Sequence, residues 1–193
     1  MLSGNLVQFL KEFVNKPQEI GAIVPSSPAL ARAVVSSIDW GRVRVAVEYG
    51  PGLGAITGEI LTRTEGRDFF AIELNEAYAD RFRRSFPDVP LYRDSVANVV
   101  SIAAEHGVKA IDCVICGLPW ANFSDAVQDE LLDAMFQVLR EGGQFVTFAY
   151  MHGLALPTGR RFREKLIRRF RTLEQSPVVW RNTPPAVVYH GVR

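Results

Sequence analysis

The residues able to do chemistry cluster around one glycine run. In VAVEYGPGLGAIT, Gly50, Gly52 and Gly54 directly follow an apolar stretch that begins at Val43. Glycines at such a point let backbone approach a ligand that a Cβ would exclude. Their spacing is GxGxG, whereas the GxGxxG fingerprint seats a pyrophosphate on a helix N-terminus. Glu48 stands just before the loop, and a carboxylate there repels a pyrophosphate and suits a cationic ligand. Glu73, 25 residues after Glu48, closes the next apolar run, at a place where a carboxylate can bind both hydroxyls of a ribose. Asp94 and Ser95 follow the third run. Three successive apolar runs thus end in carboxylates, and open α/β sheets bind ligands at the edge where such runs end.

The other reactive side chains are few. Cys113 and Cys116 form a lone CxxC in AIDCVIC, a pattern that can hold a metal or a redox pair. In a strand, residues three apart face opposite sides, and neither a second CxxC nor a His cluster accompanies them. No metal site is expected, and both cysteines read as small core residues in a reducing compartment. Tyr150 and His152 close the run GQFVTFAYMH. A His with an ordinary pKa near ~6.5 suits proton transfer, although a packing Tyr and a solvated His are the simpler reading.

Holding these groups together takes a regular alternation of elements. Leu2, Leu6, Phe9, Leu10 and Phe13 recur at helical spacing and predict an amphipathic first helix. Lys16 to Ser27 reads as a loop, and Ser27-Pro28 supplies an N-cap and a first-turn proline for a helix to about Ile38. Strands are then expected at VRVAVEY, DFFAIEL, VPLYR, AIDCVIC and GQFVTFAY. Helices separate them at Ala55–Thr64, Glu76–Ser85, Val96–His106 and Asp125–Arg140. Apolar strands alternating with helices mean a parallel sheet covered on both faces. After a helix over Thr158–Phe170, TLEQSPVVW and AVVYHGV are joined by the short RNTPP link, which only an antiparallel hairpin fits.

Composition bounds the rest. A chain of 193 residues with 48% hydrophobic and 22% charged content is a globular protein of one domain, which excludes disorder, collagen and disulfide scaffolds. No apolar run approaches the ~20 residues that cross a bilayer, and the N-terminus lacks the pattern of a secretory signal. A cytoplasmic protein is expected, at most peripheral on the inner membrane surface. The near balance of 22 basic against 21 acidic residues hides an asymmetry. Residues 156–193 carry nine Lys/Arg and two acids, and the remainder thirteen against nineteen. Within the basic part, Phe162, Leu166, Phe170 and Leu173 keep helical spacing. Such a cationic rim attracts anionic lipid headgroups and nucleic-acid phosphate alike.

From about Val43 to Val192 the chain resembles the class I S-adenosylmethionine-dependent methyltransferases. The resemblance implies a Rossmann-like α/β fold, with seven strands in the order 3-2-1-4-5-7-6, strand 7 antiparallel, helices on both faces and an N-terminal helical extension. It implies one methyltransferase domain over residues 1–193, its first 40 residues the extension and 41–193 the cofactor-binding core. The cofactor would be S-adenosyl-L-methionine. Gly50, Gly52 and Gly54 would cradle its methionine part with Glu48 near the ammonium. Glu73 would hold the ribose hydroxyls with Leu74 next to it in the cofactor site, Asp94 would meet the adenine amino group, and Ser95 the neighbouring ring edge. Gly117-Leu118-Pro119-Trp120, after AIDCVIC, is similar to the motif of amino-directed methyltransferases. There backbone carbonyls and an aromatic wall aim a neutral amine lone pair at the methyl for in-line displacement, and Trp120 can add a cation–π contact of roughly 0.5–2 kcal/mol. The family often has Asn, Asp or Ser where this chain has Gly117, so a side-chain acceptor is missing.

The front segment FLKEFVNKPQEIGAIVPSSPALARAV resembles the N-terminal region of bacterial phospholipid N-methyltransferases, which are related to ribosomal RNA adenine dimethylases. By that resemblance Pro25, Ser26 and Ser27 line the cofactor side of the site. The helix around Leu2 to Val14 would dock on a membrane or cover the substrate. The implied acceptor is the amine of a phosphatidylethanolamine-class headgroup on an anionic membrane surface. Adenine N6 in ribosomal RNA and a small soluble amine are the alternatives.

Overall fold

The computed structural model describes residues 26–193; the expected first helix and Pro25 lie outside them. The strands are β1 (Val45–Tyr49), β2 (Asp68–Ile72), β3 (Leu91–Tyr92), β4 (Ile111–Cys116), β5 (Leu139–Tyr150), β6 (Thr172–Gln175) and β7 (Ala186–Val192). They form one sheet in the order β3-β2-β1-β4-β5-β7-β6. All neighbours from β3 to β5 pair in parallel, and β7 runs antiparallel to both β5 and β6. The Rossmann-like order expected from the resemblance is therefore present.

Helices α1 (Pro28–Ser36), α2 (Thr57–Leu61), α3 (Glu76–Ser85), α4 (Val99–His106), α5 (Asp125–Val138), α6 (Met151–Ala155) and α7 (Pro157–Arg169) link or flank the strands. Period-two alternation sorts each strand's side chains between two cores. Val47, Tyr49, Phe70, Ile72, Val114 and Phe145 pack under α4, α5 and α7. Ala46, Phe69, Ala71, Ile115 and Val146 pack with Leu30, Val34 and Val35 of α1, Ile60 of α2 and Phe82 of α3. Cys113 and Cys116 fall into opposite cores and are both buried, as their spacing requires. Burial pushes the Cys116 thiol up to about 12 and the Cys113 thiol further still, so both stay protonated and inert.

Two expectations change. The strand predicted over TLEQSPVVW stops at Gln175, because Pro177 has no N–H to give the ladder. Ser176 substitutes locally, its N–H donating to the Val188 carbonyl and its hydroxyl oxygen accepting from Val188 N. Val179 then returns as a single bridge to Ala186. The connection is thus the whole of residues 176–185 rather than RNTPP. The cationic character of α7 is also smaller than composition implies. Asp125, Asp129 and Asp133, one per turn of α5, face Arg161, Lys165 and Arg169, one per turn of α7. Arg161 meets Asp125 at 2.7 Å, Lys165 meets Asp129 at 2.9 Å, and Arg169 bridges Asp129 and Asp133.

Among the described residues no helix is long and apolar enough to cross a membrane.

Candidate active site

Parallel strands bring the expected residues to one edge. β1, β2 and β4 end side by side, with Tyr49 opposite both Ile72 and Cys116. The glycine loop leaves β1 bonded to both neighbours, Gly50 N–H donating to Ile72 O at 2.9 Å and Gly117 N–H to Tyr49 O at 2.8 Å. All three loop glycines have positive φ, at 64°, 57° and 79°. At Gly54 an added Cβ would lie 2.1 Å from the Phe86 ring, which fastens the loop to the end of α3. At Gly52 a Cβ would meet nothing within 4 Å; the space above it is the open cradle that a ligand can enter.

Glu73 is 6% exposed and held from two sides. Gly52 N–H donates to its Oε2 at 3.1 Å and Asn75 N–H to its Oε1 at 2.8 Å. Burial raises its pKa and these backbone donors oppose the rise. Glu48 is 2% exposed, on the α2 side of the sheet, and its Oε2 accepts the Thr57 hydroxyl at 2.6 Å. Desolvation pushes its pKa up to about 8, against the Thr57 bond and with a further push from Glu73. Two buried carboxylates beside one glycine loop make a strong local demand for positive charge.

Beyond Glu73, the cleft wall is formed by Gly50, Ile72, Leu74, Asp94, Ser95, Val96, Leu118, Pro119 and Phe123. Asp94 Oδ1 accepts from Ser95 N at 2.6 Å and Asn98 Nδ2 at 2.9 Å, which fixes the carboxylate. Ser95 is buried, and its hydroxyl caps the following 3₁₀ turn through Ala97 N. This mainly apolar cleft is lined by two carboxylates, Glu73 and Asp94, which are acceptors of the kind a purine nucleoside would need.

Gly117 packs face to face with the glycine loop. A Cβ there would lie 2.8 Å from Gly50 O, and one on Gly50 would lie 2.9 Å from Leu118. The absence of an Asn, Asp or Ser is therefore set by backbone contact between the loops after β1 and β4. Trp120 is buried. Its ring is 4% exposed and stacked on Phe162, with centroids 4.5 Å apart and planes 12° apart, and it is not part of the cleft wall. This stack anchors the loop to α7.

Ser27 caps α1 by accepting from Leu30 N at 3.2 Å, and its own N–H donates to Asn182 Oδ1 at 2.8 Å. That bond brings the start of α1, with half-buried Ser26, beside the loop between β6 and β7; neither serine reaches the cleft wall. Tyr150 and His152 stack at 5.6 Å at the end of β5, also outside that wall. The sequence reading missed three supports. Thr57 stands three residues past the last loop glycine, where a hydroxyl can reach back to Glu48. Asn75 caps α3 and holds Glu73. Gln128, fully buried, donates through Nε2 to Trp120 O at 2.9 Å, Phe123 O at 3.3 Å and Thr158 O at 3.3 Å. Nothing local in DAVQDELL marks Gln128, since its partners lie on the loop and on α7. Among the described residues no group of three His, Cys, Asp or Glu could hold a metal ion.

A sheet of this order, with a glycine cradle after β1 and carboxylates ending β1 and β2, is the arrangement expected of an S-adenosyl-L-methionine-dependent methyltransferase. The residues present fit that cofactor: Glu48 and Glu73 would face its positive charge and diol, and the mainly apolar cleft would face its purine. Solved structures share the fold. A TehB-like SAM-dependent methyltransferase from Corynebacterium glutamicum superposes with TM-score 0.61 at 14% identity, covering 97% of each chain. Human N-acetylserotonin methyltransferase, in complex with SAM, gives 0.63 at 12% identity over 98% of this chain and 56% of that one. No family model matches. The chain is, however, 31% identical over 190 residues to the ornithine lipid N-methyltransferase of Singulisphaera acidiphila, covering 94% of this chain and 92% of that one. It belongs to that enzyme's family.

Proposed function

We propose that this methyltransferase acts on the amine of a membrane-lipid headgroup, of the ornithine lipid or phosphatidylethanolamine class. The observation that carries this reading is the near full-length likeness to an enzyme named for N-methylation of ornithine lipid.

When bound, the cofactor supplies an electrophilic methyl on a sulfonium. The chain's own residues orient and enclose. Glu73, already steered by Gly52 and Asn75, keeps acceptor capacity for two ribose hydroxyls. Glu48, ionised once a cation lies beside it, holds the amino end. Asp94 has Oδ2 left to accept from an exocyclic amine, and Leu74 and Leu118 cover the ring. The carbonyls of Gly117 and Leu118 accept from the substrate amine and aim its lone pair at the methyl in line. Gln128 keeps that loop in register from behind.

The test supplies the purified full-length chain with methyl-labelled cofactor and offers vesicles containing ornithine lipid and phosphatidylethanolamine, ribosomal RNA and a soluble amine side by side. Label in the lipid extract supports the proposal, and label in adenine of the RNA overturns it.

A further inference from the structure

Residues 176–185 join β6 to β7 at the same edge of the sheet as the glycine loop, since Tyr150, the last residue of β5, is paired with Ala186, the first of β7. This connection is a built turn. Val179 N–H donates to Ala186 O at 2.7 Å, and Asn182 N–H to Val179 O at 3.3 Å. Asn182, 2% exposed, accepts from Ser27 N through its side chain and donates from Nδ2 to Pro184 O at 2.7 Å. Val179 and Asn182 are therefore tied inward, and Trp180 and Arg181 occupy the two corner positions between them. A buried frame thus holds out a Trp that is 73% exposed, the most exposed large apolar side chain among the described residues.

What lies beside the turn has the same character. Met151, 39% exposed, donates its N–H to Pro185 O at 2.9 Å, and Leu156, 42% exposed, ends the short α6 that begins at Met151. Residues 150–163 and 176–185 contain four arginines and no acid. Among the described residues, only Arg161 of these is paired with a carboxylate, that of Asp125. An indole on a rigid support, with Arg181 next to it, exposed Met151 on the adjoining segment and further guanidinium groups that no carboxylate among the described residues pairs, matches the boundary of an anionic bilayer. Trp prefers the headgroup level, and Arg pairs with phosphate.

We propose that the Val179–Asn182 turn, with Met151 and Leu156 beside it, seats the protein on an anionic lipid bilayer, Trp180 at the headgroup boundary and Arg181 on lipid phosphate. The proposal rests on the lipid-acting reading above and adds to it the face by which the active-site edge meets the membrane. The residues that hold the cofactor are not part of this face, so binding to the surface and binding of cofactor are separable.

The full-length chain is mixed with vesicles of phosphatidylcholine containing one quarter phosphatidylglycerol, and with vesicles of phosphatidylcholine alone. Tryptophan emission, quenching by brominated acyl chains and flotation are measured. Trp120 is buried, and Trp40 lies before β1 at the opposite edge of the sheet, so Trp180 should report the contact. A blue shift and bromine quenching on the anionic vesicles, both lost in Trp180→Ala, are expected. An Arg near an anionic surface is worth about fivefold in partitioning, so Arg181→Glu should weaken it about 25-fold. Trp180→Ala should weaken it about tenfold. Both variants should bind S-adenosylmethionine as the parent does, which shows that they are folded. Partitioning unchanged in both, or no quenching of Trp180 by bound vesicles, overturns the docking face. If that occurs while lipid is still methylated, the lipid-acting reading survives and only this surface fails. If Trp180 seats on vesicles but label enters RNA, the docking face stands and the acceptor assignment fails.

Discussion

Replacing Glu48 by Gln should make the unliganded protein more stable and a poorer cofactor binder. In the folded chain this carboxyl has its pKa moved from 4.5 to about 8, mainly by burial. Below pH 4.5 both folded and unfolded forms are protonated and nothing is lost. Between 4.5 and about 8 the unfolded chain has released the proton and the folded one still holds it, so stability falls as pH rises through that window and levels off above it. At 1.36 kcal/mol per pH unit, the deficit is about 3 kcal/mol at pH 7 and about 5 kcal/mol above pH 8. Gln preserves an acceptor for the Thr57 hydroxyl and does not titrate. Urea denaturation of the unliganded proteins should therefore show Glu48→Gln gaining a few kcal/mol over the parent at pH 8.5, and much less at pH 5. The cofactor's ammonium demands the ionised form. The parent should thus release about one proton on binding below pH 8, seen by calorimetry in buffers of different ionisation enthalpy, and lose about tenfold in affinity per pH unit of acidification. The variant should bind weakly without proton release. A variant no more stable at pH 8.5 than at pH 5, relative to the parent, would refute the reasoning about Glu48.

Three further substitutions probe the rest of the site. Glu73→Ala should weaken cofactor binding by roughly 1.5–3 kcal/mol in calorimetry, the worth of hydrogen bonds to a charged group; unchanged affinity would show that Glu73 does not hold the ribose. Gly117→Ser, which restores a polar side chain to the loop, should lower both stability and cofactor affinity by ~1–3 kcal/mol, because its Cβ would stand 2.8 Å from Gly50 O. Higher activity in that variant would mean that the loop can yield. Gln128→Leu leaves the Trp120, Phe123 and Thr158 carbonyls without their donor and should cost ~2–4 kcal/mol of stability. Methyl transfer should slow through kcat more than through the cofactor's KM, and Gln128→Glu, itself buried beside carbonyls, should not rescue it.

What could be read from the chain was whatever its neighbours in sequence determine. Alternating apolar runs, the glycine spacing and the carboxylate ending each run are local, and they led to the parallel strands and to one shared edge of the sheet. The order of those strands came through resemblance, since parallel pairing is decided by contacts dozens of residues apart. Long-range contact also explains the misplacements. Trp120 reads as an aromatic wall until Phe162, on a helix forty residues later, is seen to take its face. The basic helix reads as a free cationic rim until the aspartates of α5 are laid beside it. At Ser176-Pro177 the local signal was present and should have ended the strand, leaving room for the turn that holds out Trp180.

The central claim is that the chain moves a methyl from S-adenosylmethionine to a lipid headgroup amine. Tandem mass spectrometry of vesicle lipids after incubation with the purified protein tests it most directly. The account predicts a headgroup fragment heavier by one methyl in place of hydrogen, located on the amine nitrogen and much reduced with Glu73→Ala at limiting cofactor. Lipids of unchanged mass, while the same sample methylates ribosomal RNA, would contradict it.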